Sequence, residues 1–454
     1  MRSICWFVLL SIVSPVFADL PNLGTRKQGS DWPVFLGPNG DSSSSEKGII
    51  NPWPVTGPKI VWQKEVGEGY GMPTISKGRL FQFDRHGNKA RLTCMNAETG
   101  EEICRFEYPT DYRDLYNYSG GARCSPVIED DRVTIFGVEG MLHCLQIVRT
   151  GKKESFKVLW KLDTQKKYGV IQNFFGVGST PVIEGELLIV QIGGSPPKSD
   201  EVSFLKLKGN GTGVVAFDKK TGKEKWRASN ELASYSSPVM ATVNGRRTCF
   251  VFARGGLLAL DPKTGKLDFR FPWRAGSLES VNASNPVVLK NRVFISETYG
   301  PGSAYLEVQK KGDPKVVWAD KKNVRKKSMQ CHWMTPIYHD GYLYGCSGRH
   351  DSNAELRCIE LASGKVMWSK PGLARTSLLK IDGHLISLGE YGDVRLLKIN
   401  PKQFQMVSGF LPRDEKGKFL LRYPCWAAPI VSHGLMYLRG KDRLVCVELI
   451  PKKK

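Results

Sequence analysis

The sequence lacks an apolar stretch long enough to cross a membrane as a helix. The apolar run from Ile4 to Val16 falls short of the roughly 20 residues that a spanning helix needs, and no later stretch comes near that length. Cys-x-x-Cys and Cys/His clusters at zinc spacing are absent, which argues against a structural metal site. Gly-x-Ser-x-Gly and a Gly-rich loop with lysine are absent too, so nucleophile-elbow hydrolases and phosphate-loop proteins are disfavoured.

Cysteine, glycine and proline are too few for the classes of protein that depend on them. Eleven cysteines in 454 residues do not make a disulfide scaffold, and 47 Gly with 26 Pro, irregularly spaced, do not make a collagen or a low-complexity polymer. Hydrophobic residues reach 41% and aromatics 10%, which indicates a globular protein. The length suggests about three domains, although large all-β units often run longer as one.

The first residues have the pattern of a secretory signal peptide. A cationic start (Arg2) precedes the apolar run, and Val16-Phe17-Ala18 is a small-residue cleavage pattern. We therefore predict a signal peptide at 1–18, an N-terminal extension at 19–58 and a basic tail at 451–454. The expected location is the periplasm or the exterior, as a soluble protein without a transmembrane segment.

The formal net charge is +22, with local concentrations at Lys321–Lys327 and Lys452–Lys454. Such an excess favours adhesion to polyanions such as nucleic acid, acidic glycans or anionic head groups. A solvated basic surface is the alternative, since the clusters lack the interleaved aromatics of a nucleic-acid groove. Both interpretations stay open at this point.

One phrase recurs eight times: a small residue, a proline, two or three apolar residues, a polar turn and an alternating apolar run. Seven copies centre on Pro73, Pro126, Pro181, Pro238, Pro286, Pro336 and Pro429. A proline-free copy, Thr376-Ser377-Leu378-Leu379, fills the one long gap, so the period is about 51 residues. Each copy alternates with period two and shows no sustained helical spacing. The sequence therefore predicts an all-β fold, an eight-bladed β-propeller of four-stranded antiparallel blades over 59–450.

A second phrase, Ala216–Trp226, contains Asp-x-x-Thr-Gly and ends in tryptophan. Weaker copies are Ala259–Phe269, Cys358–Trp368 and Cys94–Cys104. The Asp and Gly suit the outer hairpin turn, and the terminal aromatic is expected to pack against a neighbouring blade. Trp160 and Trp318 end less regular copies.

The two ends of the chain look like parts of one blade. Lys59–Lys64 resembles an outermost strand with no blade before it, and Leu444–Leu449 resembles a third strand with nothing after it. Pairing of the N-terminal and C-terminal strands is therefore predicted to close the ring, which removes exposed strand edges.

The phrase Ala-x-Asp-x-x-Thr-Gly-x-x-x-Trp resembles the repeat of the PQQ-like (quinoprotein alcohol dehydrogenase-like) β-propeller family, over about Lys59 to Leu449. That family includes pyrroloquinoline-quinone (PQQ) dehydrogenases and the non-catalytic scaffold of the outer-membrane assembly machinery. The resemblance implies an exported binding or scaffolding propeller. The alternative it implies is a PQQ-dependent oxidoreductase with Ca²⁺, acting on an alcohol or a sugar. Family dehydrogenases share two adjacent cysteines, and this sequence has no such pair.

Residues just before the repeated proline should ring one mouth of the central channel. The candidates are Tyr70, Arg123, Tyr235, Asn282, His332, Trp333 and Trp426. Aromatic faces can stack on a planar or sugar-like ligand, and an arginine can bind an anionic group. The partner would then be such a ligand or an unknown protein, and no catalytic or metal-binding residue is assigned. The alternative is that these aromatics only fill the channel.

Overall fold

The computed structural model describes residues 20–171, 174–321 and 325–452, and this part of the chain forms eight β-sheets. The predicted eight-bladed, nearly all-β propeller is confirmed. The predicted signal peptide lies outside the described residues, as do 322–324 of one basic cluster and 453–454 of the tail. Among the described residues, the helices are too short or too polar to traverse a bilayer.

The blades are numbered along the chain, and their strands run from the channel outward. Blade 1 contains Thr74–Ser76, Arg79–His86, Lys89–Asn96 and Glu102–Pro109. Blade 2 contains Val127–Glu129, Arg132–Phe136, Met141–Thr150 and Lys153–Asp163. Blade 3 contains Val182–Glu184, Leu187–Gln191, Val214–Asp218 and Glu224–Ala228. Blade 4 contains Val239–Val243, Arg246–Ala253, Gly256–Leu260 and Leu267–Pro272.

The second half continues in the same order. Blade 5 contains Val287–Leu289, Arg292–Glu297, Gly302–Glu307 and Lys315–Ala319. Blade 6 contains Ile337–His339, Tyr342–Ser347, Glu355–Glu360 and Val366–Pro371. Blade 7 contains Thr376–Ile381, His384–Gly389, Val394–Lys398 and Met406–Phe410, and blade 8 contains Ile430–Ser432, Leu435–Arg439 and Arg443–Glu448. The short helices are Thr164–Tyr168, Ser199–Glu201, Phe204–Lys206 and Asp351–Asn353.

The turn between the first two strands of a blade is tight because Asn, Asp and Gly at its centre tolerate positive φ. At Asn244-Gly245 φ is 50° and 75°, and at Asp382-Gly383 it is 46° and 70°. Positive φ at both central residues is the pattern of a type I′ turn, whose twist matches that of the flanking strands. These turns lie on one face of the ring. The longer loops that join blades lie on the opposite face, called here the mouth face.

Docking tryptophans hold neighbouring blades together, as predicted. The Nε1 of Trp226 in blade 3 donates to the Pro262 carbonyl of blade 4 at 3.0 Å. Its ring lies on Gly265, where a Cβ atom would be only 2.4 Å away. The same donation to the next blade is made by Trp62, Trp160, Trp318 and Trp368. The glycine of the outer turn therefore leaves space for the tryptophan of the preceding blade, in addition to forming its own hairpin turn.

The ring closes where the sequence predicts. Ile60–Glu65 pairs antiparallel with Arg443–Glu448 and becomes the outermost strand of blade 8. Trp62 faces Cys446 across this pair and packs on Tyr437 with ring centroids 5.9 Å apart.

The N-terminal extension closes the channel from the tight-turn face, which the repeat pattern did not predict. Trp32 is 1% exposed and exchanges backbone hydrogen bonds with Ile75 of blade 1 at 2.8 and 2.9 Å. Ser43–Ser44 pairs in parallel with the first strand of blade 7, so that blade has five strands rather than four. The extension thus spans several blades across the centre of the ring.

Candidate functional site

A cavity of about 740 Å³ lies in the central channel. Residues of the mouth-face loops form its wall, and Phe35, Leu36 and Ser42 of the extension line its other end. The channel is therefore a blind funnel that opens at the mouth face. Its volume is typical of small-ligand sites, which span about 300–1,000 Å³.

Six of the seven predicted site residues line this funnel, namely Tyr70, Arg123, Tyr235, His332, Trp333 and Trp426. Asn282 does not. Its Nδ2 donates to the Ala253 carbonyl at 2.7 Å, its side chain is buried, and it connects the loops of blades 4 and 5. The distance from the repeated proline correctly predicted which stretch of backbone lies at the mouth. It did not predict side-chain direction, which differs between adjacent residues. Ligand binding by the other six stays a prediction.

The aromatic wall is continuous on one side of the funnel. Ring centroids are 4.7 Å apart for Tyr70 and Trp426, 4.9 Å for Trp426 and Trp333, and 4.9 Å for Trp333 and His332. The His332 Nε2 lies 3.3 Å from the Tyr299 hydroxyl. The four ring planes are tilted against each other, and all four residues line the cavity.

Two of the arginines that line the funnel are neutralised by buried carboxylates. Arg123 pairs with Asp114 at 2.5 Å, and Asp114 is 5% exposed. Arg375 pairs with Glu390 at 2.6 Å, where Glu390 is 0% exposed. Arg375 also lies 4.7 Å from the centre of the Trp333 ring. Arg123, the arginine that the sequence offered for an anionic group, therefore has its charge already matched.

The arginine with an unmatched charge is Arg349, which the sequence analysis did not select. Its guanidinium lies 4.5 Å from the centre of the Tyr299 ring, and it lines the funnel. No carboxylate within the described ranges forms an ion pair with it. Arg349 sits in the loop between the second and third strands of blade 6. Arg349 could have been found from the sequence, because the loops between second and third strands lie on the mouth face together with the loops that join blades.

His332 has no free charge to offer at neutral pH. Burial, together with the positive charges of Arg375, Arg349 and His350, lowers the pKa of His332 to about 3. A neutral imidazole with so low a pKa is a poor general base at pH 7.

The residues present do not fit the calcium that accompanies the quinone in family dehydrogenases. Among the described residues, no group of three or more His, Cys, Asp or Glu is arranged to hold a metal ion. Ca²⁺ takes about six to eight oxygen ligands. Of the funnel carboxylates, Asp351 accepts from the Tyr391 hydroxyl at 2.7 Å, and Glu279 stands apart from it. The aromatic wall suits a planar ring, but the described residues do not bring a cluster of carboxylates to it for calcium.

A buried carboxyl beneath the funnel wall gives a pH-dependent prediction. Glu297 is 1% exposed and accepts from Ser280 Oγ at 2.9 Å and from the Gly300 N–H at 3.0 Å. Burial raises the pKa of Glu297 to about 7. The unfolded chain loses the Glu297 proton near pH 4.5, whereas the folded protein keeps it up to about pH 7. The contribution of Glu297 to the free energy of unfolding is therefore lost as the pH rises from about 4.5 to 7.

We compare the free energy of unfolding of Glu297→Gln with that of the wild type. We expect this difference to be about 3 kcal/mol more favourable to the variant at pH 8 than at pH 5. Denaturant unfolding at the two pH values measures the difference. Glu415→Gln, in an exposed turn, is the control for removing a carboxylate that is not buried. An equal effect of Glu297→Gln at both pH values would contradict the raised pKa.

Comparison with known proteins identifies the family. The family model described as outer membrane protein assembly factor BamB matches residues 88–370. BamB from Moraxella catarrhalis superposes with a TM-score of 0.55 at 12% identity, covering 86% of this chain and 96% of that one. Sqt1 from Saccharomyces cerevisiae gives 0.52 at 9%, covering 90% and 100%.

Quinohemoprotein alcohol dehydrogenase from Comamonas testosteroni gives a TM-score of 0.49 at 11% identity, covering 93% of this chain and 81% of that one. No curated protein matches the sequence. At these identities the structural likenesses show the fold alone. Because the family model spans more than half of its residues, the chain belongs to the PQQ-like propeller family of outer membrane protein assembly factor BamB.

Proposed function

We propose that this protein is an exported, non-catalytic binding propeller whose funnel holds a planar or sugar-like ligand that carries an anionic group. The observation that carries the proposal is the guanidinium of Arg349, which forms no ion pair with the described carboxylates and lies beside the continuous aromatic wall. Ring faces of Trp333 and Trp426 supply stacking surface, and a guanidinium can bind a carboxylate, sulfate or phosphate with two hydrogen bonds.

The charges of the funnel favour one end for the anionic group. Arg123 and Arg375 are matched by carboxylates, so their positive charge is offset locally. Arg349 lies near His332 and forms no ion pair with a carboxylate of the described residues. An anion seated there would gain attraction that a neutral analogue would not, since the funnel is closed at its far end and partly excludes water.

The chemistry of the wall supports binding rather than turnover. The histidine in the wall is neutral with a pKa of about 3, and the described residues contain no cluster of His, Cys, Asp or Glu arranged to hold a metal ion. The family model that matches the chain is described as an assembly factor, which fits a non-catalytic function. Polyanion adhesion through the basic surface is a separate activity that rests on the net charge of +22.

The test is calorimetric titration with three probes. Glucuronate and metal-free PQQ are anionic, and glucose is the neutral counterpart of glucuronate. We expect the anionic probes to bind and glucose not to bind, and we expect Arg349→Gln to weaken binding about 10- to 100-fold. Arg113→Gln is the control, because Arg113 is exposed on the same face but does not line the funnel. Equal affinity in Arg349→Gln, or no binding of either anionic probe, would refute the proposal.

The enzymatic alternative is separated by one further measurement. PQQ is itself planar and anionic, so its binding alone supports a funnel for such ligands. Ca²⁺-dependent dye reduction with a panel of alcohols and sugars would instead replace the proposal by a PQQ-dependent oxidoreductase. Export is tested apart from both, by sequencing the N-terminus of the protein from its native source. A mature chain that begins at Asp19 supports export, and an intact Met1 opposes it.

A further inference from the structure

Blade 1 differs from most of the ring at the position of the docking tryptophan. In blade 3 Ala216 faces Trp226 across the two outer strands, and in blade 6 Cys358 faces Trp368. At the same place in blade 1, Cys104 stands on the outermost strand and faces Cys94. Blade 1 therefore has two thiols where its neighbours have an indole.

The two cysteines have the geometry of a cross-strand pair. Thr110 donates its N–H to the Asn88 carbonyl at 2.9 Å, so that pair of the ladder is hydrogen-bonded. The pattern alternates along the antiparallel strands, and Cys94–Cys104 falls on the same type of position, where Cα atoms stand about 5.5 Å apart. Disulfides join Cα atoms about 4.4 to 6.8 Å apart.

Access to the two thiols is unequal. Cys94 is fully buried, whereas Cys104 is half-buried on the outermost strand. The hydrogen bond with the Cys104 side chain, together with burial, raises the pKa of the Cys94 thiol well above its usual value. A reagent from solvent therefore meets Cys104 first, and Cys94 reacts second from within the sheet.

We propose that Cys94 and Cys104 form a disulfide that joins the two outer strands of blade 1, with a disulfide oxidant as co-reactant. The Cys104 thiolate attacks one sulfur of the oxidant, whose S–S bond breaks and releases one thiol. Cys94 then loses its proton and attacks the Cys104 sulfur of the mixed disulfide, releasing the second thiol. The protein loses two electrons and two protons, and the oxidant is reduced to two thiols.

The cross-link would stabilise an outer hairpin that has no docking tryptophan. Other contacts already hold blade 1 to blade 2, including the buried ion pair of Arg79 with Glu154 at 2.5 Å. A disulfide across the hairpin limits the conformations of the unfolded chain and so favours the folded one. Neither cysteine lines the funnel. The exported location proposed above would supply an oxidising compartment.

The test exploits the spacing of cleavage sites. Trypsin releases residues 92–105, which contain Cys94 and Cys104 and no other cysteine. The full-length protein is reduced, incubated with oxidised glutathione, denatured, alkylated, digested and analysed by mass spectrometry. We expect this peptide to take up no alkyl group and to be lighter than the dithiol by two hydrogens. The control peptide 358–365 contains only Cys358 and should remain alkylated.

Single variants test the order of attack. Cys94→Ala should retain glutathione on Cys104, and Cys104→Ala should leave Cys94 unmodified. The oxidised wild type should melt a few degrees above its reduced form, and the double alanine variant should show no such difference. Alkylation of both cysteines after oxidation, or glutathione that stays on Cys104 in the wild type, would overturn the proposal.

Discussion

Deletion of the residues that precede Val66 is expected to abolish the folded protein. The deletion removes Ile60–Glu65, the outermost strand of blade 8, and leaves the edge of Arg443–Glu448 unpaired. It also exposes a face of Val445 and Val447, both now 0% exposed. Losing one large buried aromatic costs about 3–5 kcal/mol. The deletion loses Trp32, Trp53 and Trp62 together, which approaches the whole stability of a typical domain, about 5–15 kcal/mol.

The expected result is insoluble protein, or a soluble remnant that lacks a cooperative melting transition. A second variant, Trp62→Ala, separates ring closure from loss of the extension, because it leaves both segments in the chain. It should destabilise the protein about as much as Trp226→Ala, since both indoles donate to the next blade at 3.0 Å. A deletion variant that melts like the wild type would show that the terminal strands do not close the ring.

The fold was predictable because the physics of a blade repeats in the sequence. Each repeat needs a turn with positive φ, buried inner strands and an aromatic that packs on the next blade. Three of the four sequence copies of the outer phrase keep an aromatic or Trp at the end, and Trp226 and Trp368 make the predicted contacts with the next blade. Closure followed from counting strands at the two ends.

The N-terminal extension was not predictable in the same way. Ser43–Ser44 has no alternating apolar pattern, and its pairing with Lys380 and Ile381 depends on where the chain lies across the ring. Trp53 packs on Phe410 of blade 7, and the backbone of Trp32 pairs with Ile75 of blade 1, so the position of both depends on residues distant in sequence. A segment without a repeat gives no internal template, so its position is fixed only by tertiary packing.

The site was half predictable for a related reason. The offset from the repeated proline located the funnel, because backbone position follows from the repeat. The charges did not follow, because Asp114 neutralises Arg123 from within an irregular loop and Arg349 enters from another blade. Which arginine remains unmatched is a property of the assembled loops. Sequence spacing alone favoured Arg123 for an anionic group, whereas the ion pairs of the funnel are the reason for proposing Arg349 instead.

Replacing Arg375 by methionine is expected to cost about 3–5 kcal/mol, because it leaves the carboxylate of Glu390 buried without its cation. Glu390 would keep two neutral donors, the backbone N–H of position 375 at 2.9 Å and Trp426 Nε1 at 3.2 Å. Urea unfolding of the variant and of the wild type measures the loss.

The decisive comparison is the double variant Arg375→Met with Glu390→Gln. If the cost is that of an uncompensated buried charge, the double variant recovers much of the stability that the single variant loses. Arg422→Met is the control, because its pair with Asp442 is largely exposed and should contribute less than about 1 kcal/mol. A single variant no worse than this control would show that the pair does not hold the wall. Arg375 also contacts the rings of Trp333 and Trp426, so the same variant should weaken ligand binding in the funnel even where the fold survives.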